Sequence, residues 1–372
     1  MSETDVDTYA LKAAAAAEVA APELPYRPPM PRSWRPRIAL VGAGGISGAH
    51  LAAYRAAGFD VAVIASRTLA RAVARRDAFF PEAEATDDVA GTLARPDVAV
   101  VDLTPHPEER LALIEAALTG GKHVLSQKPF VLDLDAGLRL CDLADARGLK
   151  LAVNQNGRWA PHLAFMREAV KAGLVGQVQT VDVGIHWDHG WTRGTPFEAV
   201  DDLILFDFAV HWFDFLASLG VKPDWVFASR ARAAGQEVRP PLIGRALVAF
   251  AGGEAALAFD GAARFGPEDH TYVGGSAGSL ASHGPGLSEQ AVTLATAAGI
   301  ARPALAGTWF TEGFIGTMGE LLRAVEAGDE PSNGARGNLA SLALVFAAIA
   351  SSRRRAPVEP GSVRSLRAAS AP

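Results

Sequence analysis

The sequence predicts an α/β protein of two domains, a doubly wound parallel sheet followed by an α+β domain with a largely antiparallel sheet. Three observations carry that expectation. At 372 residues the chain is longer than one simple core organises. From Arg37 to Val153 short apolar runs alternate with helical patterns, as parallel strands joined by crossover helices require. Beyond Val178 the runs are short and separated by turns, which suits hairpins. The expected divisions are an Ala- and Pro-rich arm over residues 1–36, a first domain over 37–153, a second over 154–361 and a tail over 362–372.

The arm opens with Glu3, Asp5 and Asp7, which argue against a secretory signal. Ala10 to Ala21 has the composition of one alanine-rich helix, and Pro22 to Pro36 is proline-rich and therefore extended. Two states fit such a segment: an arm laid across this chain or a partner subunit, or plain disorder.

The first domain begins at Arg37 with RIALVGAGGISGAH. Ile38 to Val41 is the length of a buried strand, a glycine turn follows, and the pattern is helical from Ile46. Strand, glycine turn and helix open a dinucleotide-binding Rossmann unit. Gly42 permits the tight turn and Gly44 lets backbone approach a pyrophosphate. Gly45, Ile46 and Ser47 place N–H groups at the helix N-terminus to hold it. Ser47 stands where a third glycine is usual. Val61 to Ala65 is the second strand, and Ser66-Arg67-Thr68 follows it where NAD-selective sites place an acid. A guanidinium and hydroxyls suit a 2′-phosphate, so NADP is favoured. NAD is the alternative, with Arg67 merely solvated.

Alternation continues through a helix over Leu69–Phe79, a strand over Val98–Leu103, a helix over Glu108–Leu118 and a strand over His123–Leu125. A helix over Leu134–Arg147 and a strand over Leu151–Val153 complete it. Ligands of such sheets collect beyond the carboxyl ends of the strands, where Thr104-Pro105-His106 and Ser126-Gln127-Lys128-Pro129 stand. Pro129 keeps Lys128 out of helical geometry and so fixes its direction. Cys141 is the only cysteine, between Leu140 and Leu143 on a helix. It reads as a buried structural thiol, and the lack of an intrachain disulfide suits the cytoplasm.

The segments GAGGISGAHL, LTPH, GKHVLSQKPF and NGRWAPH occur in the order and spacing of the Gfo/Idh/MocA oxidoreductases, and the chain resembles that family from Arg37 to about Gly361. The resemblance implies NAD(P)-dependent hydride transfer on a sugar or polyol, and a homo-oligomer, dimer or tetramer. The family's lysine motif is usually Glu-Lys-Pro, with the lysine beside the nicotinamide. By that match Lys128 is the first catalytic candidate, touching cofactor and substrate. Gln127 replaces the glutamate, keeping hydrogen bonding but no charge. His106 follows Pro105 directly, where the family often has a His a few residues further on. Thr104, Pro105, His106, Gln127 and Asn156 are expected near the cofactor and Arg158 near the substrate.

In the second domain a helix over Pro161–Ala172 and a strand over Val178–Trp187 lead to His186-Trp187-Asp188-His189-Gly190-Trp191. Tryptophans among polar groups suit a sugar, whose C–H faces pack on rings while its hydroxyls need partners. His186, Asp188 and His189 are therefore substrate candidates, against a loop of simply exposed histidines. No helical His pair accompanies them, so no metal is expected. Phe206 to Leu219 reads as a helix apolar on nearly every side, apart from one stripe of Asp207, His211, Asp214 and Ser218. Buried carboxylates and imidazoles are costly unless paired or facing a polar cavity. The pattern alone fits a solvated stripe equally well. The family motif D-x-x-x-H matches Asp207 and His211, which with Lys128 resemble its catalytic trio. His211 is then the base, Asp207 orients its imidazole, and Lys128 either stabilises the alkoxide or is itself the base. Asp214 is expected to orient or cap.

Strands are expected at Trp225–Ala228, Ala246–Phe250, Ala255–Phe259 and Thr271–Gly274, with a hairpin turn at Gly252-Gly253. Helices are expected at Thr311–Ala327 and Asn338–Ser351, the latter ending near Arg353 to Arg355, where cations favour the helix dipole. A net charge of −6 and the lack of a basic helix argue against nucleic acid, and no apolar run reads as long enough to span a bilayer. Two other functions share these residues: sugar processing by transient internal redox with elimination or epimerisation, and a non-catalytic dinucleotide-binding regulator.

Overall fold

A computed structural model describes residues 16–366. Six strands, β1 (Arg37–Val41), β2 (Asp60–Ala65), β3 (Glu84–Thr86), β4 (Val100–Leu103), β5 (His123–Gln127) and β6 (Leu151–Asn154), form a parallel sheet in the order β3-β2-β1-β4-β5-β6. Apart from the edge strand β3, their residues are almost wholly buried, as strands sandwiched between helices must be. The helices between them are α1 (Ser47–Ala57), α2 (Leu69–Phe79), α3 (Val89–Ala94), α4 (Pro107–Thr119) and α5 (Leu134–Ala146). All six strands therefore end on one side, where Gly42, Ser66, Thr104 and Lys128 follow β1, β2, β4 and β5.

After α6 (Pro161–Lys171) the second sheet begins at β7 (Val178–His186), and α7 (Val210–Ser218) precedes its next strand. The remaining strands are β8 (Pro223–Ala231), β9 (Ile243–Phe250), β10 (Gly253–Asp260), β11 (Glu268–Gly275), β12 (Gly278–Gly286), β13 (Glu289–Thr296) and β14 (Gly299–Ala301). Their order is β14-β13-β12-β11-β7-β10-β9-β8, antiparallel except for β7 beside β10. Strands β12 to β14 lie outside the expected set, because GSLASHGPG carries too few apolar residues to announce a strand. Along β7 the side chains alternate: Val181, Val183 and Ile185 are buried in the core, whereas Asp182 and His186 lie on the opposite, open face with Phe227, Leu247 and Tyr272.

Two long helices close the structure. α8 (Trp309–Ala327) returns to the first sheet, where Met318, Leu321 and Leu322 pack with Ile38, Leu40, Leu51 and Tyr54. One helix from beyond residue 153 thus completes the packing of the first sheet. α9 (Ala335–Arg354) packs against β8, α7 and α5. By length and hydropathy it is a candidate membrane span, contrary to the sequence reading, yet 67% of its apolar window is buried inside the protein.

Of the two states open to the arm, its described residues take the first, on their own chain. Val19 N–H donates to Ile300 O at 2.9 Å and Ile300 N–H to Ala17 O at 2.8 Å. Gly299, at φ 137°, makes room, since a Cβ there would lie 2.3 Å from Ala17 O. From residue 16 the arm is extended, not helical as expected over Ala10–Ala21, and residues 1–15 lie outside the described part. Further on, the Glu326 carboxylate accepts the Ser33 and Trp34 N–H groups at 2.7 and 2.8 Å. At the other end Leu366 N–H donates to Leu132 O at 2.9 Å.

Candidate active site

The glycine turn is built for close approach. Gly42 has φ 103°, and a Cβ there would lie 2.5 Å from Thr104 Oγ1 and 2.9 Å from Pro105 Cδ. Thr104 Oγ1 donates to Gly42 O at 2.7 Å, tying the β4 loop to the turn. Gly44 and Gly45, by contrast, face open space, and Ser47 Oγ donates to Gly44 O at 2.6 Å across the start of α1. Bare backbone at a helix N-terminus, open on the ligand side, fits a dinucleotide pyrophosphate. Ser66 is buried at the end of β2 and accepts the Thr68 N–H at 3.4 Å, while exposed Arg67 pairs with Glu109 at 3.0 Å. That carboxylate offsets part of the positive charge on which a 2′-phosphate preference rests.

Lys128 follows β5 with its peptide to Pro129 in the cis form. Its Nζ lies 3.1 Å from Asp207 Oδ2 and donates to Asp207 O at 2.9 Å. Asp207 sits in a π-helical turn, Ile204–Phe208, where Ala209 N–H reaches back to Ile204 O at 2.9 Å. The single helix expected over Phe206–Leu219 is therefore a π turn followed by α7, a bulge of the kind that collects at functional sites. Among the described residues no hydrogen bond joins Asp207 to His211, so the expected orienting contact is replaced by the pair with Lys128. The His211 ring packs edge-on to Trp309 at 5.5 Å, and its Nδ1 is buried without a partner. Burial, and then the charge of Lys128, hold this imidazole well below the usual 6.5. It is neutral at neutral pH.

Arg110, a residue the sequence reading passed over, fastens the two strand-end loops together. Its fully buried guanidinium donates to Pro105 O at 2.8 Å and to Pro129 O. Burial pulls it down to about 9.

The remaining candidates divide. His189 is buried, its ring 4.2 Å from that of Phe208, and burial lowers it, with Asp207 and Lys128 near enough to be felt. Trp187 packs on Phe208 and Trp212 at 5.1 and 6.0 Å and so belongs to the same wall. His106 meets Phe197 at 5.8 Å, where the 190–199 loop reaches the first domain. Asp188 is exposed and accepts Gly190 N–H at 2.7 Å, which makes it a turn former. His186 stands apart: strand alternation puts it on the open face of the second sheet, 6.5 Å from His270, with the trio on the other side. Arg158, expected near the substrate, has its guanidinium engaged within the protein. Its Nε and Nη2 grip Asp214 at 2.7 and 2.9 Å, and Ser341 Oγ adds a bond to Asp214 at 2.7 Å. Asn156 uses its Oδ1 to accept Trp309 Nε1–H at 2.9 Å.

Gln127 belongs to a buried network whose other members escaped the sequence reading, because each looks like an ordinary core position. His50 Nδ1 lies 2.7 Å from Asp102 Oδ2, which also accepts Tyr54 OH at 2.7 Å. His50 Nε2 lies 3.2 Å from Gln127 Nε2 and 3.1 Å from Asn154 Nδ2. Gln127 Oε1 accepts Lys128 N–H at 2.6 Å and Asn154 Nδ2–H at 3.2 Å, and Thr317 OH donates to Asn154 Oδ1 at 2.8 Å. The visible signal was a carboxylate within the apolar run of β4.

Comparison with known proteins shows the family and the fold. The oxidoreductase family with an NAD-binding Rossmann fold, Gfo/Idh/MocA, matches residues 36–155, and the Gfo/Idh/MocA C-terminal domain matches residues 163–281. An inositol 2-dehydrogenase of Rhizobium meliloti is 27% identical over 336 residues, covering 85% of this chain and 96% of its own. A D-apiose dehydrogenase of Paraburkholderia graminis is 26% identical, covering 86% and 88%. The crystal structure of an oxidoreductase from Agrobacterium radiobacter, in complex with NAD+, L-tartaric acid and magnesium, superposes with a TM-score of 0.79 at 20% identity, over 88% of this chain and 99% of that one.

Proposed function

Because the chain belongs to the Gfo/Idh/MocA oxidoreductases, we propose that it transfers hydride between a secondary hydroxyl of a sugar or polyol and a nicotinamide dinucleotide, with Lys128, Asp207 and His211 as its catalytic residues. The carrying observation is the Lys128 ammonium held by one carboxylate oxygen and the backbone carbonyl of Asp207 beside a neutral imidazole. The substrate class is that of the inositol and apiose dehydrogenases this chain resembles over most of its length.

The cofactor is held by the turn at Gly42, Gly44, Gly45, Ile46 and Ser47, by Ser66, Arg67 and Thr68 at the β2 end, and by Thr104 and Pro105 above Gly42. When bound, it supplies the hydride acceptor. NADP is the favoured form on the strength of Arg67, and NAD the alternative. His211 accepts the hydroxyl proton, since it is the uncharged ring of the trio. Lys128 spends two of its three N–H donors on Asp207 and keeps one for the substrate oxygen, where developing negative charge is stabilised. Asp207 fixes the direction of that donor. Trp187, His189 and Phe208 form the wall against which a hydroxylated ring packs.

The chain is proposed to work in the cytoplasm as a homo-oligomer, supported by the buried thiol of Cys141, pushed up to about 11, and by exposed Phe227, Leu247 and Tyr272 on one sheet face. The deciding experiment is a cofactor-reduction screen across inositols, aldoses and glycosides with NAD and NADP, repeated with Lys128→Ala and His211→Ala. Oxidation of one polyol class that both variants abolish is expected. Near-normal turnover by both variants defeats the assignment, and turnover without net cofactor reduction points instead to internal redox.

A further inference from the structure

We propose that the buried His50–Asp102 pair positions Lys128, acting through the side-chain amide of Gln127. The inference rests on the reading that Lys128 is catalytic. The donor and acceptor inventory settles the direction of every bond in the chain. A backbone N–H only donates, so the Gln127 atom 2.6 Å from Lys128 N is its carbonyl oxygen. The amide nitrogen of Gln127 therefore faces His50 Nε2, as does Asn154 Nδ2. Both of these donate, so His50 Nε2 is the acceptor and the imidazole proton resides on Nδ1, pointing at Asp102 Oδ2 at 2.7 Å. Asp102 thus selects the tautomer, the tautomer selects the orientation of Gln127, and Gln127 fixes the backbone from which Lys128 projects. His50, Asp102, Gln127 and Asn154 are all buried, so no water is at hand to replace a lost partner.

The arrangement explains why glutamine serves at position 127. Its two ends meet opposite demands, an acceptor for Lys128 N–H and a donor for His50 Nε2, which a carboxylate meets only if His50 turns from acceptor to donor. It also gives Asp102 a purpose in the middle of a buried strand. In the absence of this chain Lys128 would still leave β5 but with its amide unheld.

The variants are Asp102→Asn, His50→Gln and Gln127→Leu in the full chain, each with two readouts. The first needs no substrate: hydrogen exchange of the Lys128 amide, which is expected to speed up at least about tenfold as its acceptor is lost. The second is steady-state turnover on whichever polyol the screen identifies. There kcat is expected to fall on the order of 10- to 100-fold, with KM and the cofactor Kd held within a few-fold, because a catalytic group has been misaimed and not removed. Unchanged exchange at Lys128, with only a lower melting temperature, overturns the proposal, and so does faster exchange with kcat kept. If the wild type oxidises no polyol, the functional reading fails, while the exchange arm still decides whether His50 and Asp102 hold Lys128.

Discussion

The carboxylate of Asp207 lies 3.1 Å from Lys128 Nζ, and its own backbone carbonyl takes a second bond from the same ammonium. Residue spacing alone pairs Asp207 with His211, one helical turn on. The π turn over Ile204–Phe208 breaks that spacing and hands the carboxylate to the lysine. Asp207→Asn is therefore expected to act as a lysine-positioning lesion. It should lower kcat on the order of 100-fold with cofactor affinity little changed, as when one preorganised donor is lost. Wild-type kcat in this variant would show that the pair is dispensable.

The protonation of His211 supplies a second test. A base must be neutral, so activity is lost as pH falls through its pKa. That pKa lies well below 6.5, from burial first and the Lys128 charge second. The acid limb of kcat/KM is accordingly expected below 6.5, leaving the rate flat from pH 8 down to that value. In a histidine NMR titration of the free protein, Lys128→Met should move the His211 midpoint upward, though still short of 6.5 because burial persists. A wild-type midpoint at or above 6.5 defeats the account.

The first domain was legible because parallel strands buried on both faces are written as unbroken apolar runs, and Gly42 to Ser47 form one contiguous turn. The site was less so. Lys128 could be found from its place at a strand end, whereas His50, Asp102 and Arg110 are core residues by every local criterion and acquire meaning only through partners dozens of residues away. His186 misled for the converse reason. Strand period two puts it on the opposite face from Trp187, and nothing in HWDHGW says which face holds the substrate. Arg158 misled because a buried arginine can serve a ligand or a structural carboxylate, and here Asp214 takes it.

Cofactor choice turns on a surface pair. Arg67 and Glu109 meet at 3.0 Å with both side chains well exposed. An exposed pair is weak, so a 2′-phosphate can compete for the guanidinium, but the carboxylate remains as a repelling neighbour. Glu109→Gln is expected to raise the NADP-to-NAD ratio of kcat/KM by about two- to tenfold, and Arg67→Asp to invert the preference toward NAD. Ratios unmoved by either change would place the 2′ site elsewhere.

The arm is fastened by one carboxylate. Backbone N–H groups of Ser33, Trp34 and Arg32 converge on Glu326 and hold it down to about 2. A depressed pKa contributes stability that is complete above the ordinary 4.5 and lost as pH falls from there toward 2. Tryptic cleavage after Arg32 at neutral pH is therefore expected to be slow in the wild type and fast in Glu326→Ala, with the body intact. Equal cleavage rates in the two proteins would mean that the carboxylate does not hold the arm.

Arg158 and Asp214 separate a structural role from a substrate role. The guanidinium is nearly buried, the carboxylate is 1% exposed, and two bonds at 2.7 and 2.9 Å join them, with Ser341 Oγ completing the shell of Asp214. Removing one partner strands the other charge in the interior, which costs about 3–5 kcal/mol. Arg158→Met and Asp214→Asn should each lower the urea midpoint by a comparable amount. The double variant should cost less than the sum of the two, since no charge is then left unpaired. Substrate KM in the folded fraction should stay close to that of the wild type. A selective rise in KM for Arg158→Met, with stability kept, would return this residue to the substrate and break the assignment of the pair to the core.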